Sequence, residues 1–257
     1  MIQNYYQNSN DIYASYLDKQ IDFEGWFSDQ SAALFDIFLD FQREQNIVGD
    51  FIEIGVYKGR SALMSALHLG DDEVFHLIDI SSYLKETEKE LAPILGQRGK
   101  FYQQRSELLT AEVLGLTKYS ARWIHIDGDH TGRAVWNDLS LCEPLLSDDG
   151  IIILDDFFNV AYPQITEATF AFLSAYPYSL KLILTASHKA YLARPLFART
   201  YLKMIRETLA TSLHQRDIHD FMICKSTTNE ETPCFGISSR WQDRDYYGLD
   251  ANPDDLP

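Results

Sequence analysis

Two short apolar runs, residues 123–126 and 151–154, each close on acidic side chains, Asp127 and the pair Asp155-Asp156. Between the runs, Ala134, Val135, Leu139, Cys142 and Leu146 recur at spacings of three and four, which is the period of a helix with one buried face. Asp129 is placed to cap that helix at its start near Thr131, and Ser147-Asp148-Asp149-Gly150 reads as the turn that follows it. Continuous apolar strands around an amphipathic helix predict a βαβ unit in a parallel sheet covered on both faces. The carboxyl ends of neighbouring parallel strands open on one edge, the edge where such sheets bind ligands. Three carboxylates, Asp127, Asp155 and Asp156, are therefore expected to converge there.

The remaining chain repeats this alternation. A helix is predicted over 28–45, with Ser28 or Ser31 as its cap, then a strand ending near Glu53. After a glycine-bearing turn comes a helix over about 60–69, closed by Gly70 in the C′ position. Strands over 74–80 and 101–104 alternate with helices over 83–95 and 107–114. Pro163 opens a further helix to about Ala175. Residues 180–185 and 190–193 read as closing strands, 195–213 as a helix and 221–224 as a short strand. The first 27 residues are rich in Tyr, Asn, Gln and Asp with no clean period, and suit an acceptor lid, an oligomer contact or a docked arm. From Trp241 the chain is acidic and expected to be mobile. We divide it into an aromatic extension (1–48), a core (49–195) and a C-terminal extension (196–257).

The glycine turn reads Glu53-Ile54-Gly55-Val56-Tyr57-Lys58-Gly59-Arg60-Ser61. A dinucleotide site wants G-x-G-x-x-G, whose second glycine lets the backbone approach a pyrophosphate. Here Tyr57 stands in that place, and Glu53 puts a carboxylate beside the turn, the wrong sign for a polyanion. A cofactor carrying an ammonium or sulfonium group suits it better, and an NAD-type oxidoreductase is disfavoured. Asp79, twenty residues beyond Gly59 at a strand end, is placed to accept hydrogen bonds from ribose hydroxyls.

With E-I-G-V-Y-K-G-R-S joined to I-D-G-D-H and L-D-D-F, residues 49–158 resemble the class I S-adenosylmethionine-dependent methyltransferases. The likeness is nearest to the group containing the macrolide- and aminocoumarin-sugar O-methyltransferases. It implies a doubly wound α/β fold, with a mostly parallel seven-stranded sheet, its last strand antiparallel and helices on both faces. It implies that Glu53, Gly55, Val56, Tyr57, Gly59 and Ser61 hold the methionine end of the cofactor, Asp79 the ribose, and Ser106 the adenine, with Asp127 and Gly128 adjoining. It implies magnesium, or a similar divalent cation, on Asp127, Asp155 and Asp156. Asp127 and His130 are the candidate proton acceptors, whereas His125, inside its strand, reads as a core histidine.

The expected activity is methyl transfer to a hydroxyl of a small polar acceptor such as a sugar, vicinal diol or catechol. An N-directed or metal-independent enzyme with the same cofactor, and a non-catalytic ligand-binding protein that keeps only the fold, are the alternatives. The net charge of −16 over 257 residues argues against nucleic-acid or anionic-membrane surfaces. Three scattered cysteines without CxxC spacing indicate neither a disulfide framework nor a zinc site. With no long apolar run and a polar N-terminus, the expected setting is the cytoplasm, with self-association left open.

Overall fold

The alternation of strand and helix resolves, in a computed structural model, into one continuous mixed sheet with helices on both faces. The structure describes residues 5–225, 234–240 and 245–247, with side chains described for 12–225, 234–240 and 245. The helices are α1 (Tyr5–Lys19), α2 (Asp29–Glu44), α3 (Arg60–Leu67), α4 (Leu84–Leu95), α5 (Ala111–Leu114), α6 (Gly132–Cys142), α7 (Pro163–Ala175), α8 (Pro195–Glu207) and α9 (Leu209–His214). The strands are β1 (Asp50–Ile54), β2 (Phe75–Ile78), β3 (Gly99–Tyr102), β4 (Ala121–Ile126), β5 (Leu146–Leu154), β6 (Lys181–Ala186), β7 (Lys189–Ala193), β8 (Met222–Lys225), β9 (Phe235–Ser238) and β10 (Tyr246–Tyr247). No helix among the described residues is long and apolar enough to cross a membrane.

Their order across the sheet is β10-β8-β9-β6-β7-β5-β4-β1-β2-β3. β1 to β5 are mutually parallel, β7 runs antiparallel to β5, and β6 closes a hairpin on β7. This is the expected doubly wound arrangement. The sheet continues past the expected seven strands, because β9 joins the outer edge of β6 and β8 and β10 follow it. An open β6 edge would present unpaired backbone groups, and the added strands cover it. The C-terminal extension is therefore continuous with the core sheet.

Central strands bury both faces, so successive residues feed different cores. Phe51, Trp123, Ile151 and Ile153 pack with α2, α3, α4, α8 and α9 on one side. Ile52, Ile124, Ile126, Ile152 and Leu154 pack with α6 and α7 on the other. Tyr13 and Tyr16 of α1, with Phe23 and Phe27, belong to the first core. The N-terminal segment is thus helical and partly structural, which its irregular spacing of aromatics concealed.

Several local expectations are corrected. Residues 147–150 do not turn; they belong to β5, where the β4 register jumps from Ala121↔Leu146 to Trp123↔Ile151 and the surplus residues bulge. Gly70 is not the C′ residue of α3, which ends at Leu67 with His68 as its cap, and the Gly70 N–H donates to Glu73 instead. Helix 107–114 divides into a 3-10 turn, Ser106–Leu108, and α5, because Thr110 caps the latter separately. β3 begins two residues earlier than read, and the 195–213 helix breaks at Thr208. Thr131, rather than Asp129, caps α6 by accepting from the Ala134 N–H, while Asp129 accepts from the Thr131 N–H. The predicted mobility from Trp241 concerns residues that lie mostly outside those described.

Candidate active site

The order of winding reverses between β1 and β4, and this switch point is where a crevice opens beyond the strand ends. Gly55 ends β1 with φ +88°, and a Cβ there would sit 1.8 Å from the Asp127 carbonyl oxygen. Only glycine lets the β1 and β4 termini approach this closely. At the next corner Gly59 has φ +82° and packs against Thr87 and Phe23. Tyr57, itself left-handed at φ +47°, aims its N–H at Asp79 Oδ2 (2.6 Å), and Asp79 Oδ1 takes the Ser81 N–H (2.6 Å). Asp79 thereby pins the glycine turn to the end of β2.

A cavity of about 1100 Å³ occupies this crevice. Gly55, Tyr57, Asp79, Ser106, Asp127, Gly128, His130, Asp155 and Asp156 all line it. Val56 and Ser61 line a smaller annex beneath the turn. Glu53 and Gly59 line neither. Glu53 was expected to face a cofactor cation; it is fully buried, accepts from the Ser61 hydroxyl (2.5 Å), and lies 3.2 Å from His125 Nδ1. Register explains that contact, since Glu53 and His125 are direct neighbours across β1 and β4.

Two charge groups follow. In the deeper one, His125 stands between Glu53 and Asp155, with Nε2 3.6 Å from Asp155 Oδ2, and Lys189 donates to that same oxygen (2.5 Å). Burial alone would lower the His125 pKa, but the Asp155 and Glu53 carboxylates outweigh it and push it up to about 9. Burial would raise Asp155, yet Lys189 and His125 hold it well below the ordinary carboxylate range. His125 is a core residue as expected, but a cationic one.

The second group faces the cavity. His130 Nε2 lies 2.9 Å from Asp156 Oδ2 and 3.9 Å from Asp127 Oδ1, with its ring stacked on Tyr162 at 4.2 Å. Asn159 donates to Asp156 Oδ1 (2.6 Å), and Gln164 holds the His130 carbonyl (2.6 Å). Burial, aided by the charge of Asp155, pushes Asp127 up to about 6. The nearby Asp127 and Asp156 carboxylates raise His130. Ligand atoms of Asp127, His130 and Asp156 lie within 4.8 Å of one another. Asp155 belongs instead to a grouping with His125 and Asp127.

Sequence reasoning missed Lys189 and Asp138 here, and took Trp26 only as part of the N-terminal aromatic segment. Lys189, 3 % exposed, neutralises Asp155 from the start of β7, and no spacing announced it. Trp26, 90 % exposed, stacks on Tyr57 at 5.5 Å on the cavity rim. Asp138 lies on the buried stripe of α6, and an acid on an apolar helical face was the available signal.

Residues 52–157 match the profile of a methyltransferase domain. No curated protein matches the sequence. Among solved structures, the O-methyltransferase NovP aligns at 16 % identity and TM-score 0.51, covering 64 % of this chain and 80 % of NovP. CalS11, the calicheamicin methyltransferase, aligns at 16 % and 0.50, covering 62 % and 79 % of the two chains. A Klebsiella pneumoniae protein aligns at 15 % and 0.53, covering 71 % and 89 %. Residues 52–157 thus match a methyltransferase-domain profile, and the chain shares its fold with these methyltransferases.

Proposed function

We propose that this protein is an S-adenosylmethionine-dependent O-methyltransferase acting on a hydroxyl of a small polar molecule, such as a sugar, diol or catechol. One observation carries the reading: the glycine turn with Asp79 and the group Asp127–His130–Asp156 open into the same cavity. The first can hold a nucleoside with a charged tail, and the second can take a proton beside it. Asp79 retains lone pairs for ribose hydroxyls, Ser106 adjoins the base, and Tyr57 and Gly55 border the methionine end, with Glu53 and Ser61 supporting the turn from behind.

The methyl group on a sulfonium is already activated, so the protein must align a hydroxyl with it and accept the hydroxyl proton. An acid with pKa about 6 is suited to that task near neutral pH. Asp127 and His130 share the proton as a coupled pair, with Asp156, Asn159 and Tyr162 fixing the imidazole. The donor set fits a divalent cation at Asp127 and Asp156, with Asp155 close behind; such an ion supplies a lowered pKa for a coordinated hydroxyl.

A specific observation favours a second, metal-independent reading: Lys189 and His125 already neutralise Asp155. Methyl transfer to an identified acceptor, measured after EDTA and again after magnesium is restored, separates the two. Loss and recovery support the metal-dependent reading, and full activity in chelated enzyme replaces it with the second. Absence of S-adenosylhomocysteine binding would remove both.

A further inference from the structure

Lys189 opens β7 and lines the cavity, yet its side chain is only 3 % exposed. The turn before it has two residues: Ala186 pairs with Lys189 across it, and Ser187 and His188 are left-handed at φ +48° and +57°. Such turns ordinarily take Asn-Gly or Gly-Gly, so Ser-His is held there at a steric cost. The hairpin delivers the ammonium to the end of β5. There Nζ donates to Asp155 Oδ2 (2.5 Å) and lies 5.7 Å from the centre of the Phe27 ring.

Asp155 is thereby occupied. Its Oδ1 takes the Asp156 N–H (2.8 Å), and its Oδ2 also faces His125 Nε2 at 3.6 Å. A divalent ion binds oxygens with lone pairs to give, and at Oδ2 it would meet the ammonium already there, like charge against like. The ammonium itself is not saturated. It carries three donors, and Asp155 is its one hydrogen-bond partner among the described residues. A desolvated cation with donors to spare, on a cavity wall, suits an oxygen of a bound molecule. Asp127 shares this corner, with its ligand atom within 4.8 Å of that of Asp155.

We propose that Lys189 is a built-in cation of the acceptor site: it takes the place at Asp155 that a divalent ion would fill, and its remaining N–H donors hold the acceptor hydroxyl oxygen. This rests on the methyltransferase reading above and deepens its metal-independent form, by assigning the residue that supplies the charge. In the transfer, the oxygen–methyl bond forms as the sulfur–methyl bond breaks and the electron pair stays on sulfur. The hydroxyl proton passes to Asp127 and His130, and Lys189 keeps its own protons. An ammonium grips one oxygen where a divalent ion chelates two, so an isolated hydroxyl suffices.

Mn²⁺ titration followed by electron paramagnetic resonance tests the charge assignment without an acceptor. Lys189→Met uncovers Asp155 Oδ2 and removes a positive charge, so Mn²⁺ affinity should rise by about tenfold or more over the native protein. Anomalous scattering from native crystals soaked in Mn²⁺ should show no ion bonded to Asp155, a measurement that stands even if Lys189→Met does not fold. In EDTA the native protein should methylate its acceptor, and folded Lys189→Met should lose that turnover by about 10²-fold, the worth of one donor to a developing oxyanion, while S-adenosylhomocysteine affinity holds. Mn²⁺ bonded to Asp155 in the native protein overturns the proposal, as does a folded Lys189→Met with native Mn²⁺ affinity or full chelated turnover. Failure of the native protein to bind S-adenosylhomocysteine would instead remove the methyltransferase reading on which this rests.

Discussion

Two sets of buried charges in this molecule behave differently. In the helical layer, Asp36 and Asp40 of α2 meet His68 and Arg216, with Asp36 to His68 at 2.7 Å and Arg216 reaching both acids at 2.6 and 2.8 Å. Nearby, Arg122 forms a two-point pair with Glu73 (2.6 and 2.8 Å), Gln42 joins it at 2.8 Å, and Glu73 also takes the N–H groups of Gly49 and Gly70. These clusters are closed. Behind the crevice, Glu53 Oε2, both His125 nitrogens and Asp138 Oδ1 have no hydrogen-bond partner among the described residues, whereas burial raises an acid to about 6 in both sets, Asp127 here and Asp40 there. The first set satisfies its hydrogen-bonding atoms, while the second keeps unsatisfied atoms near the strand ends, as the proposed ligand site there would require.

The largest expected effect falls on the closed set. Arg122→Ala leaves the Glu73 carboxylate buried without its partner and should lower unfolding free energy by about 3–5 kcal/mol. Urea denaturation measures it, and cofactor affinity of the folded fraction should hold. A loss below about 1 kcal/mol would mean that the pair is not the latch described.

Asp127→Asn should do the reverse. It removes a strained acid, so stability should hold or rise, while turnover falls by about 10²-fold or more. Parallel melting curves and initial rates on one acceptor decide this. Falling stability with intact turnover would place Asp127 among the structural charges.

A smaller effect is read in pH. His125 has a folded pKa of about 9, above its ordinary 6.5. Its contribution is therefore complete below about pH 6.5 and is lost as pH rises through about 9. Native protein should lose stability over that window, and His125→Gln should flatten this part of the profile. Asp155, held low, works at the other end: its contribution is present above its ordinary value and is lost as pH falls toward the depressed one. An unchanged alkaline profile in a folded His125→Gln would contradict the charged assignment.

The same contrast explains what was legible in the sequence. The helix 28–45, the strands ending at Glu53, Asp79 and Asp127, and the helix from Pro163 rest on periodicity and capping, which are local properties. Convergence of Asp127 and Asp156 followed from parallel neighbours sharing an edge. Partners joined across the fold were not legible: Lys189 reaches Asp155 only because β7 inserts antiparallel beside β5. The 147–150 bulge resembled a turn because Asp-Asp-Gly is turn chemistry, yet β4 continues to pair around it. Helix α1 hid because its apolar positions are tyrosines among amides, and its tertiary contacts override that weak pattern. Deleting residues 1–21 should accordingly lower the melting temperature as well as turnover, since Tyr13 and Tyr16 leave the core.

The central claim is that the open charges at the strand ends serve an S-adenosylmethionine site, and Asp79 tests it most directly. Titration of S-adenosylhomocysteine into native protein and a folded Asp79→Ala variant should show one site in the native protein. Substitution should weaken it by about 1.5–3 kcal/mol, through loss of charge-assisted ribose hydrogen bonds and of the Tyr57 N–H anchor. Unchanged affinity in the variant, or NADH binding as tightly as S-adenosylhomocysteine, would contradict the account.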